Sequence, residues 1–340
     1  MSFRPNCNGF QRHGKPCPYE RENIMKIVIL DALPLNPGDL RWDSLEEAGD
    51  LTIYERTSPA DVESRIADAG IVLTNKVKLG AAHFEAAPSL KMIAEMATGF
   101  DNVDTVAARE KGIAVCNVPS YSASFTAQTT IALLLELAQH IGRHSEAVAS
   151  GKWANSSDFS FWETPQIELG GKTLVIIGLG AIGGRVAAIG EALGMKVIAA
   201  QLPWRESSSD KARSPLDEAL KRADVVSLHC PLKPETRGLV NAEFLNKFKK
   251  GAILLNTARG AIVDENAVAD ALRSGKLSGY AGDVLSSEPP SPDNPLLSAP
   301  NCLITPHLGW SSLESRRRCL DTSVQNVRAF LAGHPQNLVN

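Results

Sequence analysis

Long apolar runs are missing from this chain. The longest, Ile131 to Leu135, falls far short of the roughly 20 apolar residues that a membrane-spanning helix needs, so no membrane partner is expected. A surplus of positive charge is missing too. Lys and Arg number 35 against 38 Asp and Glu, a formal net charge of −3, which gives nucleic acid and anionic lipid no electrostatic reason to bind. Cysteine is sparse, with six copies at 7, 17, 116, 230, 302 and 319 and no metal-ligand spacing among them. Cys7, His13 and Cys17 lie near one another in a polar tail, but a single group of three is weak ground for zinc, and no metal is expected. The remaining cysteines read as small buried hydrophobes in a reducing compartment, which points to the cytoplasm. The stretch Met1–Asn23 has no apolar segment of the kind a secretory leader carries. Residues 1–24 read as a mobile extension, and the fold is expected to begin at Met25. Repeats of solenoid length are absent as well.

What is present is the composition of a globular protein, 44% hydrophobic and 21% charged over 340 residues, a length that predicts about two domains. Short apolar strands alternate with helical patterns: Lys26–Asp31, Leu51–Tyr54, Gly70–Asn75, Lys91–Met96 and Ile113–Cys116 are the first five strands. Helices are expected around Leu40–Ala48, from Ser58-Pro59 through Ala69, over Ala81–Ala87 and over Val103–Lys111. Such alternation implies parallel pairing in an open α/β sheet. One long helix is expected from Ser122 to Ser150, with Ser124 or Thr126 as its cap and Ile131, Leu134, Leu135 and Ala138 on its apolar face. A helix that apolar crosses between domains or packs on a partner chain. The loop from Gly151 to Glu168 carries Trp153, Phe159, Phe161 and Trp162, which read as a hydrophobic plug at an interface.

The second half opens with Lys172–Gly178 as a buried strand, a Gly178-Leu-Gly180-Ala181-Ile182-Gly183 turn, a helix over Arg185–Leu193, and a strand Met195–Ala200. That is the strand–turn–helix–strand context in which G-x-G-x-x-G means dinucleotide binding. The first glycine makes the tight turn, the second lets backbone approach a pyrophosphate, and the third lets helix pack on strand; the helix N-terminus offers free N–H groups. Four more strands follow, at Asp224–His229, Ala252–Asn256, Leu277–Val284 and Asn301–Thr305, then a terminal helix over Ser311–Leu331. Six strands are thus expected in this half, which is inserted into the first.

Ligands of open parallel sheets bind outside the carboxyl ends of the strands. There the second half places Arg259, after Asn256-Thr257-Ala258; Glu288, after Gly282-Asp283-Val284; and His307, after Thr305-Pro306. Arg259 is either a surface ion pair or a bidentate fork for a substrate carboxylate. A lone histidine there could merely satisfy backbone groups. A Glu touching its ring would instead favour the charged imidazolium and suit it to proton transfer near neutrality.

Gly178–Gly183, His229-Cys-Pro-Leu-Lys-Pro-Glu-Thr236, Asn256–Gly260, Asp283 to Glu288-Pro289 and Thr305-Pro-His307 together resemble, in order and spacing, the D-isomer-specific D-2-hydroxyacid dehydrogenase family. The resemblance runs from about Lys26 to Asn340. It implies two open parallel-sheet domains: a flavodoxin-like substrate domain of residues 25–123 and 309–340, and an inserted Rossmann domain of residues 124–308 with a dimerisation helix, in a homodimer. It implies that Arg259 holds the substrate, His307 is the acid/base and Glu288 pairs with it, with Asn75 and the Ala97-Thr98-Gly99 backbone completing the substrate site. The cofactor contacts it implies are Gly178, Gly180, Ala181, Ile182, Gly183, Gln201, His229, Cys230, Pro231, Thr236, Thr257, Ala258, Arg259, Asp283, His307 and Gly309.

Within the family, Thr98–Asp104, Phe159–Trp162, Glu288-Pro-Pro290 and Pro335–Asn340 are most similar to the glycerate dehydrogenase, or hydroxypyruvate reductase, branch. The implied reaction is hydride transfer between a nicotinamide cofactor and a small 2-keto or D-2-hydroxy acid, with hydroxypyruvate or glyoxylate giving D-glycerate or glycolate. Another 2-keto acid such as 3-phosphohydroxypyruvate is the near rival, which Lys76 and Lys78 leave open. An NAD(H)-sensing module similar to C-terminal-binding corepressors is the distant one. One departure stands out. Where NAD enzymes place an acid on the ribose hydroxyls, this chain has Gln201, followed by Arg205. NAD(H) and NADP(H) both stay open, with NAD ahead on family grounds.

Overall fold

The computed structural model describes residues 24–204 and 213–340; the Cys7, His13 and Cys17 group and Arg205 lie outside them. The described residues divide into two compact units, 24–121 with 313–340, and 122–204 with 213–312.

The first unit holds five parallel strands, β1 (Lys26–Ile29), β2 (Asp50–Ile53), β3 (Ile71–Thr74), β4 (Met92–Glu95) and β5 (Ala114–Cys116), in the order β2-β1-β3-β4-β5. This is the flavodoxin-like order. Interior β3 and β4 are buried at every residue, whereas edge strand β2 is not. Burial on both faces is why interior strands of a parallel sheet read as unbroken apolar runs. Val28, Val72, Ile93 and Val115 meet Phe84 in one core cluster. The helix Leu313–Leu331 belongs to this unit, and its Arg316 forks onto Asp39, with both nitrogen–oxygen pairs at 2.6 Å. The tail returns to β5, where the Asn340 amide donates to the Ile113 carbonyl and its oxygen accepts the Val115 N–H.

The second unit holds β6 (Thr173–Ile177), β7 (Lys196–Gln201), β8 (Ser214–Pro215), β9 (Val225–Leu228), β10 (Ala252–Asn256), β11 (Leu277–Gly282) and β12 (Cys302–Ile304) in the order β12-β11-β10-β9-β6-β7-β8. All pairs are parallel and the order reverses at β6, as in a doubly wound dinucleotide-binding sheet. Alternate residues of each strand serve opposite faces. Leu174 and Ile176 join Leu134, Leu137 and Val186 on one side, while Val175 and Ile177 join Leu216, Leu220 and Phe244 on the other.

Several expectations are corrected. The sheet has seven strands, not six, because the two-residue β8 pairs with β7 through Ala200–Ser214 and Gln201–Pro215. So short a strand leaves no periodicity to read. The long helix is two helices, Ala123–Gln139 and Ile141–Ala149, broken at His140 in the left-handed region with φ 48°. Glu136 explains the restart, since both its carboxylate oxygens accept the Gly142 N–H at 3.3 Å. Neither Ser124 nor Thr126 caps the first helix, whose N-cap is Ser122. The glycine-turn helix starts at Ala181, four residues before the expected Arg185, because nothing in Ala181–Gly184 bars a helical backbone. Among the described residues, no helix is long and apolar enough to cross a membrane.

Candidate active site

The glycine turn explains its own sequence. Gly178 has φ +103°, and a β-carbon there would lie 2.5 Å from the Cys230 nitrogen and the His229 carbonyl carbon. At Gly183 a β-carbon would lie 2.1 Å from the Gly178 oxygen. Only glycine permits both approaches. Gly180 differs: a β-carbon there would meet nothing within 4 Å, so its backbone faces open space ahead of the helix Ala181–Ala192. A tight turn, an open second glycine and a helix N-terminus with unpaired N–H groups fit the pyrophosphate of a dinucleotide.

β9, the strand beside β6 at the point where the order reverses, delivers His229 and Cys230. The Ser227 hydroxyl and His229 Nε2 are 2.8 Å apart, and the shielded Nδ1 has no hydrogen-bond partner among the described residues. Burial pushes this imidazole down to about 4, so it is neutral at physiological pH. The Cys230 thiol is pushed up to about 11, also by burial, which makes it inert. Thr236 is committed to its own loop: its hydroxyl donates to the Pro231 carbonyl and accepts the Lys233 N–H, both at 2.7 Å.

β10 leads into the Thr257-Ala258-Arg259 turn. Asn256 braces it at both ends, accepting the Ala258 N–H at 3.1 Å and donating to the Arg259 carbonyl at 3.0 Å. The Arg259 guanidinium donates to the Ala258 carbonyl at 2.8 Å. Gly260 comes so close to the next loop that a β-carbon would overlap Leu285 at 1.9 Å. The Arg259 turn is thereby seated against the segment that carries Glu288.

The segments that follow β11 and β12 bring Glu288 and His307 together. His307 Nδ1 lies 2.6 Å from Glu288 Oε2, and the Leu285 N–H holds the other carboxylate oxygen at 3.1 Å. His307 sits in the left-handed region, with φ 55°, which a non-glycine residue keeps only where its surroundings fix it. Asp283 does so. Its carboxylate accepts the Leu308 and Gly309 N–H groups at 2.7 Å each and the Thr305 hydroxyl at 2.5 Å. Asp283 thus organises the histidine turn from within.

Further residues with a part here escaped the sequence reading. Thr126 donates to the Gly309 carbonyl at 2.7 Å, and the Thr130 and Thr257 hydroxyls are 2.8 Å apart, so one helix braces two of the site's turns. The available signal was threonine at i and i+4 on an otherwise apolar helix face. Glu265 accepts the Ser286 N–H at 2.7 Å and the Asn294 amide at 2.8 Å, pinning the Glu288 loop from both sides. No local pattern marks it.

The first unit gathers its own residues at the carboxyl edge of its sheet. Asn75 donates to the Met96 carbonyl at 2.7 Å. The Ala97 carbonyl accepts the Val118 N–H, and the Thr98 carbonyl accepts the Asn117 amide at 2.8 Å. The Thr98 hydroxyl donates to the Val118 carbonyl at 2.7 Å. With these groups tied down, the Thr98 and Gly99 N–H groups have no partner among the described residues. Gln201 closes β7 without an acid, as the sequence implied.

Known proteins of the same build are numerous. The profile described as D-isomer specific 2-hydroxyacid dehydrogenase, NAD binding domain, matches residues 131–309. A hydroxypyruvate reductase of Blautia hydrogenotrophica is 48% identical over 93% of this chain and 100% of its own length. A glycerate dehydrogenase of Methylorubrum extorquens is 40% identical over 92% of this chain and 98% of its own. Among solved structures, an NADPH-dependent glyoxylate/hydroxypyruvate reductase of Sinorhizobium meliloti, in complex with NADP and malonate, superposes with TM-score 0.80 at 27% identity, covering 93% of this chain and 97% of that one. With the glycine turn, the reversing sheet and the His–Glu pair already in place, these matches assign the chain: it belongs to the D-isomer specific 2-hydroxyacid dehydrogenases, enzymes that use NAD or NADP.

Proposed function

We propose that this enzyme reduces a small 2-keto acid, hydroxypyruvate or glyoxylate, to D-glycerate or glycolate. The observation that carries the reading is the 2.6 Å contact of His307 Nδ1 with Glu288. A carboxylate on Nδ1 fixes the orientation of the ring, leaving Nε2 as the nitrogen that would present a proton. The nicotinamide cofactor supplies the hydride when bound. Gly178, Gly180 and Gly183, with the first turn of the following helix, would hold its pyrophosphate. Arg259 would fork onto the keto acid and stabilise charge growing on the carbonyl oxygen. The Thr98 and Gly99 N–H groups would take the substrate carboxylate. His307 would donate its proton to the forming hydroxyl, and Glu288 would stabilise the imidazolium before transfer.

The deciding assay is reduction of hydroxypyruvate, glyoxylate and pyruvate, each with NADH and with NADPH. Turnover of hydroxypyruvate or glyoxylate above pyruvate supports the reading; no turnover of any keto acid sinks it and favours a cofactor-sensing module. Gln201 in place of an acid removes the usual repulsion of a 2′-phosphate, so use of both cofactors is expected. The exposed Lys76 and Lys78 favour a second reading, a phosphorylated keto acid, which the same assay distinguishes when 3-phosphohydroxypyruvate is added.

A homodimer is part of the proposal. Ile141, Val148, Phe159 and Trp162 are all exposed, Phe159 at 91%, and an exposed apolar patch on a helix and its adjoining loop suits a second copy of the chain. Trp162→Glu should convert a dimer to monomer in light scattering. A cytoplasmic setting suits the four described cysteines, all free thiols.

A further inference from the structure

Glu95 ends β4 and is fully buried, yet the reaction outlined above gives it no part. Seven residues on, the Asn102 amide donates to Glu95 Oε2 at 3.0 Å and to the Val77 carbonyl at 3.1 Å. The segment between them contains Ala97, Thr98 and Gly99. The two side chains therefore meet at the base of that loop and join its ends, and the same amide ties it to the segment that follows Asn75. Glu95 Oε1 is buried with no hydrogen-bond partner among the described residues. A charged carboxylate so placed would have one donor on one oxygen and none on the other, an arrangement that strongly favours the neutral acid.

We propose that Glu95, through its hydrogen bond to Asn102, is a positioning residue that holds the Ala97–Gly99 loop in its ligand-ready shape and so sets affinity for the keto-acid carboxylate. This rests on the reading of that loop as the carboxylate site. The groups around Glu95 agree with a neutral resting state. Burial raises its carboxyl well above the usual range; the Asn102 hydrogen bond and Lys76 after β3 oppose this, and Asp31 after β1 and Asp101 in the loop add to it. Cys319, on the final helix, is itself held as a neutral thiol by burial. Ionisation at alkaline pH would place a negative charge under a loop built to receive a carboxylate, weakening binding by repulsion and by disturbing the clamp.

The test compares wild type, Glu95→Gln and Glu95→Ala in steady-state reduction of hydroxypyruvate from pH 6.5 to pH 9.5, with amide exchange of residues 96–102 followed in parallel. Glu95→Gln keeps an acceptor for Asn102, so at neutral pH it should match wild type, and it should lack any rise in keto-acid KM that ionisation of Glu95 brings at alkaline pH. Glu95→Ala should raise keto-acid KM about tenfold, the equivalent of one lost buried hydrogen bond, with little change in kcat or cofactor KM and with faster exchange in the loop. Should Glu95→Ala fail to fold, Asn102→Ala, which removes the donor of the same hydrogen bond, decides in its place. A folded Asn102→Ala enzyme with unchanged keto-acid KM overturns the proposal. Gly99→Val separates the two layers. If it leaves keto-acid KM unchanged, the loop reading falls and this proposal with it. If Gly99→Val raises KM while Glu95→Ala folds and does not, the proposal for Glu95 falls alone.

Discussion

Gly260 packs directly against the backbone of Leu285: a β-carbon on the glycine would lie 1.9 Å from the leucine carbonyl carbon and 2.1 Å from its oxygen. The contact locks the Arg259 turn to the Glu288 loop through backbone alone. Gly260→Ala must push the two apart, and we expect a loss of about 3 kcal/mol, at the upper end of overpacking effects. Its kcat should fall as well, because Arg259 and Glu288 lose their register. Urea melts and steady-state rates check this; a fully stable, fully active Gly260→Ala enzyme would contradict the packing described.

Gly180 and Gly183 should separate binding from stability. A side chain at Gly180 meets nothing in the protein, so Gly180→Val should change stability by less than about 0.5 kcal/mol. It should nevertheless raise cofactor KM at least tenfold, since it fills the proposed pyrophosphate path. Gly183→Ala meets the Gly178 oxygen at 2.1 Å and should lower stability by roughly 1–3 kcal/mol. Equal effects of the two substitutions on both measurements would refute the division of labour.

Glu288→Gln keeps the shape of the His307 contact and removes its charge. The ring then loses the carboxylate that orients it, so kcat should fall while cofactor KM stays near the wild-type value. His307→Ala should lower kcat by about 10²–10⁴-fold, the usual share of a general acid. An unaltered kcat for Glu288→Gln would show that the 2.6 Å contact has no part in proton delivery.

His229 should make the fold sensitive to acid. Its folded value of about 4 lies below the ordinary 6.5, so as pH falls through 6.5 the unfolded chain takes up a proton that the native state refuses. The cost grows until the pH reaches about 4, where it amounts to on the order of 3 kcal/mol. Glu95 acts with the opposite sign. Its native value is raised, so the stability it contributes is complete below the unfolded value and is lost as pH climbs toward the native one. His229→Gln should therefore gain in melting temperature over wild type as pH falls from 8 to 5, and Glu95→Gln should gain as pH rises. Parallel melting curves across that range would refute both assignments.

The strand ends were the legible part of this protein. Gly178–Gly183 and Arg259 each follow a strand buried at every residue, and Glu288 and His307 follow the next two strands of the same sheet, so the apolar strand pattern locates the turns that carry them. The braces were not legible. Asp283 binds Leu308 and Gly309 across a separation of about 25 residues, and Glu265 reaches Asn294. Neither pairing has a period or a local spacing to betray it. Thr126 looked like a helix cap because threonine caps helices, but its hydroxyl serves Gly309. The break at His140 was hidden because Glu136, which caps the restart, looks like any exposed helical acid.

Residues 313–340 return to the unit that β1 to β5 began, with the strands β6 to β12 of the second unit between them in the chain. During synthesis, β1 to β5 therefore emerge long before the helix Leu313–Leu331 and before Asn340, which supplies partners for Ile113 and Val115. The inserted unit has all of its strands available earlier than its host has all of its packing. Order of translation and order of completion are thus reversed between the two. The nascent first sheet must wait on the ribosome with the buried ends of β4 and β5 uncovered, the interval in which chaperone protection matters most.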